Sequence, residues 1–212
     1  MDIFEAIHGR RSIRRFTKKK IEYEKIEKII SAAISAPSAC NIQGWKFIVI
    51  TDQKIKEKLI NTGTIEFIRY APIGILVLYD NRSENPEYFD YIQSASAAIQ
   101  NMLLAAYALG IGSCWICHLS PKKIIRKLLG IPGHYDPIAY VALGYYKKKP
   151  NPLPRRYSSN QVISFNKFNF KDSKVTRTTI YRFMRKMAFR LYKFVPFKKL
   201  FLPITKGFER FN

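Results

Sequence analysis

Apolar positions recur along the chain with two periods, and together they predict an alternation of helices and strands. In "EYEKIEKIISAAIS" (22–35), Ile26, Ile29, Ile30, Ala33 and Ile34 fall at helical spacing, and Pro37 forbids continuation. "WKFIVIT" (45–51) is β-branched and aromatic and predicts a strand. "DQKIKEKLIN" is a charged helix with Asp52 as its N-cap. "IGILVLYD" (73–80) is apolar throughout, which predicts a central strand.

"SASAAIQNMLLAAYALG" is apolar nearly all round and ends at Gly110, which predicts a core helix. "SCWICHL" follows as a strand. "SPKKIIRKLLG" is a short helix with Ser120 as N-cap, Pro121 at its first position and Gly130 past its end. "PIAYVALGYY" is the next strand, "KKKPNPLPRRYSSN" a basic loop and "QVISF" a last strand. "IFEAI" near the start predicts a short helix leading into the basic loop "HGRRSIRRF". Helices and strands joined by connections of unequal length fit a layered sheet covered by helices.

From residue 176 to 195, a helical wheel sets Arg182, Arg185, Lys186, Arg190 and Lys193 against Ile180, Met184, Met187, Leu191 and Val195, predicting a basic amphipathic helix. This divides the chain into a main domain, 1–165, and a basic, aromatic-rich extension, 166–212.

Composition sharpens the picture at two points. At 212 residues with 47% hydrophobic positions, the chain can bury a sizeable core and is not a disordered protein. The formal net charge is +22, and residues 171–212 carry twelve Lys and Arg against two acids. Such charge implies acidic partners. For the tail, three readings stand in order of weight: wrapping of a partner subunit, docking on an anionic membrane surface or acidic polymer, and nucleic acid, which is disfavoured for want of a recognised module. The first residues, "MDIFEAIHGRRSIRRF", hold acids and arginines where a secretory signal has its basic and apolar regions. A cytoplasmic address, peripheral at the inner membrane face if the tail docks there, is the expectation.

Candidate chemistry starts with "CWICH" (114–118), which matches the C-x-x-C-H of haem attachment and the C-x-x-C of redox and zinc sites. Haem is disfavoured by the missing export signal and by the strand-like setting. A thioredoxin-like thiol belongs at a helix N-terminus. Zinc would need a further ligand, and no second paired motif exists. Free thiols in a strand remain, with Cys114 and Cys117 on opposite faces. His8 and His134 sit beside glycines in expected loops without partner sets.

In "GRRSIRRF", Arg10, Ser12 and Arg14 alternate, so an extended segment presents charge-assisted donors on one face, as a phosphate site requires. Pro37, Ser38, Asn41 and Gln43 lie in a loop between helix and strand, where polar side chains and freed amides can address a planar heterocycle.

"RRSIRRF", "APSACNIQGWKFIVI", "ALGIGSCWI" and "ALGYYKKKPNPLPRR" occur in the order in which similar motifs occur in the FMN-dependent nitroreductase family, and over about residues 3–165 the chain resembles that family. The resemblance implies an α+β fold with a central mixed sheet covered by helices, an intertwined homodimer with FMN at its two interfaces, and ping-pong hydride transfer from NADH or NADPH to a small conjugated acceptor such as a nitroaromatic or quinone. It implies that Arg10, Arg11, Ser12 and Arg14 hold the FMN phosphate and ribityl chain. Pro37, Ser38 and Asn41 would reach the isoalloxazine from the opposite subunit, with Gln43 close by. Arg156 and Arg155 would close on the phosphate, and Ser113 and Trp115 would line the pocket.

No catalytic side chain and no metal is required, since the flavin carries the hydride. An alternative reading is a peripheral binding protein that keeps the fold for dimerisation. The chain departs from the family in having Gln43-Gly44-Trp45 where Gln-Pro-Trp is usual, which predicts a more mobile loop, and "GYYKKKP" where Gly-x-Pro is common.

Overall fold

The structure is a computed structural model that describes residues 2–82, 85, 87–152 and 154–170. The chain divides into two compact units, Met1–Leu153 and Pro154–Asn212. The amphipathic helix expected over 176–195 lies outside the described residues.

In the first unit the helices are α1 (Ile3–Gly9), α2 (Tyr23–Ile34), α3 (Gln53–Asn61), α4 (Asp90–Ala108) and α5 (Lys122–Leu129). The strands are β1 (Trp45–Ile50), β2 (Ile73–Asp80), β3 (Gly112–Ile116) and β4 (Tyr135–Gly144), in spatial order β1-β2-β4-β3. All three ladders are antiparallel. The mixed sheet implied by the resemblance is therefore an antiparallel one among the described residues, and a single bridge between Ser12 and Ser113 supplies the parallel contact.

Sequence accounts for the elements locally. Asp52 accepts a hydrogen bond from the Lys54 amide and caps α3, and Gly130 ends α5 with φ +65°. β2 is buried on both faces because it lies between β1 and β4 with helices above and below. Pro137 sits in a central strand because the β2–β4 register shifts beside it: Val77 pairs with Ala139 and Leu78 with Pro137, a bulge that spares one amide.

The sheet separates two cores. One face packs Ile26, Ile29 and Ala33 of α2 and Ala95, Ile99 and Met102 of α4 against Ile75, Val77 and Val141. The other packs Leu59 of α3, Ile68 of a 3₁₀ turn (Glu66–Tyr70) and Ile125 of α5 against Leu76, Leu78 and Tyr140. Burial of these aliphatic side chains, each about 1.5–3 kcal/mol, is the main stabilising contribution. α5 is pinned by charge as well: Lys122 and Arg126 both pair with Asp136, 6% exposed, and Asn81 donates to it at 3.0 Å. Burial would raise the Asp136 pKa, but these donors outweigh it and hold the carboxyl below its usual range.

Several expectations are corrected. Strand β3 stops at Ile116, so Cys117 lies beyond it and is exposed, while Cys114 is buried. Ser120 does not cap α5, whose N-cap is Pro121. It sits instead in a buried hydroxyl cluster, where its Oγ meets Thr62 Oγ1 at 2.7 Å, Thr64 Oγ1 at 2.9 Å and the Leu59 carbonyl at 2.8 Å. His8 belongs to α1 rather than to a loop.

In the second unit, "QVISF" forms no strand. A 3₁₀ turn (Ser159–Gln161) with a Ser158/Gln161 capping box takes up its first residue, and Val162, Ile163 and Phe165 are exposed. Among the described residues no helix is long and apolar enough to cross a membrane.

Candidate functional site

The basic segment after α1 is fixed to the edge strand β3. The Ile13 amide donates to the Ser113 carbonyl at 2.9 Å, and Ser12 bridges Ser113 in parallel register. Arg14, Arg10 and Ser12, which the sequence grouped by alternation, all act on the buried Cys114 thiol of β3. Burial raises the Cys114 pKa, and the two guanidiniums and the Ser12 hydroxyl only partly oppose it. The thiol therefore stays neutral near pH 7 and adds no counter-charge to the guanidiniums.

Arg11 is engaged differently. Its Nη1 donates to the carbonyls of His8 at 2.6 Å and Arg10 at 2.8 Å, closing the C-terminal end of α1, while its Nε is buried without a partner.

β3 turns Ser113 and Trp115 to one face and Cys114 to the other, as a two-residue period requires. The Ser113 Oγ and Trp115 Nε1 are both buried and without a partner. Unsatisfied buried polar atoms are uncommon in folded proteins, and two of them lie here on one strand face.

The second candidate loop follows α2. Cys40, Asn41 and Gln43 take φ of 48°, 54° and 51°, so three non-glycine residues within four adopt the left-handed region. Such backbone costs about 1 kcal/mol or more per residue and persists only where its surroundings impose it. Here the Ser38 Oγ accepts the Gln43 amide at 3.0 Å, the Gln43 side-chain amide donates to Asn41 Oδ1 at 2.8 Å, and the Ala39 amide donates to Ser94 Oγ of α4 at 3.0 Å. Ser38 is thus an organiser of the loop, and Pro37, Asn41 and Gln43 are exposed on it. Ser94, buried on α4, was not singled out in the sequence, where it is one of several polar residues on a mainly apolar helix.

Gly44 is hydrogen-bonded and closely packed. Its carbonyl accepts the Asp80 amide at 2.9 Å, and a Cβ there would fall 2.9 Å from the Tyr79 ring. The 37–43 loop is anchored on α4 and the 10–14 segment on β3, so the two candidate groups hang on different supports. Arg155 and Arg156 are exposed residues of the second unit.

A polar cluster flanks the basic segment. Tyr145 Oη donates to Glu22 Oε2 and accepts from Lys25 Nζ, each at 2.6 Å. The Tyr145 hydroxyl, followed by a backbone hydrogen bond and Lys25, holds the Glu22 carboxyl at about 2.

These features belong to an α+β unit with helices on both faces of a four-stranded antiparallel sheet and a basic segment bridged to its edge strand. The nitroreductase family model matches residues 7–66 and 60–145, and the chain belongs to the nitroreductase family.

A relative from Archaeoglobus fulgidus, named provisionally as an NADH dehydrogenase/NAD(P)H nitroreductase, is 40% identical over 151 residues, which is 69% of this chain and 86% of that protein. The solved FMN-dependent nitroreductase from Clostridium difficile R20291 is 31% identical with a TM-score of 0.66, covering 77% of this chain and 99% of its own. A nitroreductase family protein from Clostridium difficile 630 superimposes with a TM-score of 0.70 at 30% identity, covering 79% of this chain and all of its own.

Proposed function

We propose that this protein is an FMN-dependent oxidoreductase that takes a hydride from NADH or NADPH and delivers it to a small conjugated acceptor such as a nitroaromatic or a quinone. The observation that carries the reading is the Ser12–Ser113 bridge, which lays the basic segment along the edge strand that also bears the unpartnered Ser113 Oγ and Trp115 Nε1. The residues fit a flavin mononucleotide in kind. Arg10, Ser12 and Arg14 offer charge-assisted donors for a phosphate, and Ser113 Oγ and Trp115 Nε1 offer hydrogen bonds for its polar edges. When bound, FMN supplies the redox chemistry by accepting the hydride and passing it on. The chain's own work is to bind, to orient and to exclude water.

The site is proposed to be completed by a second copy of the chain, whose 37–43 loop would meet the 10–14 segment. Two features support this. The loop holds strained backbone on a different support from the basic segment, α4 rather than β3, and α1 exposes Ile3, Phe4 and Ile7. The related flavoprotein named above binds FMN by its name, and the family assignment supports the same group here.

The purified protein should be yellow, and its flavin absorbance should bleach when NADH or NADPH is added without oxygen. Arg14→Ala should weaken FMN binding by about 1.5–3 kcal/mol, roughly 10–150-fold in Kd, as for a lost charged hydrogen bond. A colourless protein that takes up no added FMN would refute the reading.

A further inference from the structure

A second cationic cluster lies next to the basic segment, and its lining does not include Arg10, Ser12 or Arg14. The Thr17 amide donates to the Tyr145 carbonyl at 2.7 Å, which brings "RFTKKK" (15–20) alongside "KKK" (147–149). The outer lysines of the pair are taken up by tyrosines. Lys19 Nζ stands 4.3 Å from the centre of the Tyr145 ring, and Lys149 Nζ donates to Tyr107 Oη at 2.9 Å. Arg15, Lys18, Lys147 and Lys148, with Phe16 and Thr17, line a cavity of about 430 Å³. Among the described residues no carboxylate pairs with any of these four cations.

The apolar wall of the cavity is fixed. A Cβ on Gly144 would fall 2.7 Å from the Phe16 ring, so the absent side chain is what lets Phe16 pack over the end of β4, against the core that holds Tyr140.

Four cations around one opening exceed what a single carboxylate would balance, and they match a phosphate monoester with its two charges and three acceptor oxygens. An arginine adds planar, paired donors, and a half-buried aromatic ring beside them offers a face to a sugar or base. In the reaction proposed above the two hydride donors differ in one group, the 2′-phosphate of NADPH.

We propose that the Arg15–Lys18–Lys147–Lys148 cavity binds the 2′-phosphate of NADPH and makes this protein NADPH-selective. The inference rests on the oxidoreductase reading for its physiological ligand and on the cavity for its chemistry.

The test uses the full chain loaded with FMN and a Lys147→Ala/Lys148→Ala variant whose melting temperature matches the parent. The parent should show kcat/KM for NADPH at least about tenfold above that for NADH, and the variant should lose that preference with its NADH value unchanged. Equal use of the two donors by the parent, or an equal loss of both in the variant, would overturn the proposal. Loss of FMN from the variant would also overturn it, because these cations would then hold the flavin's own phosphate.

Calorimetric titration with adenosine 2′-monophosphate, adenosine 5′-monophosphate and inorganic phosphate separates this inference from the one beneath it. Binding of the 2′-nucleotide alone, abolished in the variant, upholds the cavity even if neither nicotinamide is oxidised, in which case the oxidoreductase reading is what fails. No 2′-nucleotide binding in a protein that does oxidise NADPH rejects the cavity and spares that reading. Inorganic phosphate binding as tightly as the 2′-nucleotide rejects the nucleotide assignment.

Discussion

Replacing Tyr140 by Phe should stabilise the protein. Tyr140 is completely buried in β4, and its hydroxyl has no hydrogen-bond partner. Burial alone pushes the phenol far above its usual pKa, so the group is a neutral donor without an acceptor. The hydroxyl lies over Gly74 of the neighbouring strand β2, where a Cβ would fall 1.7 Å from the oxygen and 1.9 Å from the ring carbon that bears it.

An unsatisfied buried hydroxyl costs about 1–3 kcal/mol. Removing it leaves a small void, and even about 15 Å³ costs only ~0.4 kcal/mol at ~24 cal/mol per Å³. The net expectation is a gain of about 1 kcal/mol, or about 2–4 °C in Tm for a domain of this size. Gly74→Ala should be destabilising by about 1–3 kcal/mol or more in both backgrounds, because the ring carbon remains when the oxygen is gone. Urea unfolding followed by tryptophan fluorescence at fixed protomer concentration measures both. A Tyr140→Phe protein less stable than its parent would refute the reasoning and show that the hydroxyl is satisfied, for instance by an internal water.

Two further predictions follow from ionisable groups. Tyr145→Phe should release Glu22 from about 2 toward its ordinary 4.5, measured by carboxyl NMR titration. Because the native pKa is depressed, the linked stability is present above 4.5 and lost as pH falls toward 2, and the variant should lack that dependence. Lys56, 2% exposed, donates to the carbonyls of Ala71 at 2.6 Å and Pro72 at 3.1 Å, and burial lowers its pKa. The unfolded chain there binds protons more readily than the folded protein, so this group's contribution to stability rises as pH climbs toward the ordinary lysine value. Lys56→Met should flatten that rise in alkaline urea titrations, and an unchanged slope would show that Lys56 titrates as if exposed.

Much of the fold was legible because its signals are local. The 3.6-residue period of Ile26, Ile29 and Ala33 gave α2, Asp52 gave the start of α3, and the unbroken apolar run of 73–80 gave a strand buried on both faces. Where local chemistry competes with distant partners, the pattern misled. Ser120 has the side chain of an N-cap, yet Thr62 and Thr64, more than fifty residues away, claim its hydroxyl. The apolar content of "QVISF" resembles a strand, but a capped 3₁₀ turn occupies its start. Of the candidate site, the alternation of Arg10, Ser12 and Arg14 was readable, because extended backbone repeats every two residues. That Arg11 would turn back onto the end of α1 was not.

By itself the sequence determined the succession of helices and strands, the basic segment near the start, the polar loop after α2 and the membership these motifs announce. Periodicity, capping and turn chemistry act within a few residues, so they are written where they act. Only the tertiary structure decided that the segment at 10–14 lies along β3, that Ser113 and Trp115 are left without partners, and that two lysine runs more than a hundred residues apart flank one cavity. Those facts depend on which surfaces the two cores bring together, and burial of apolar area carries no local label of which strand edge will meet which loop.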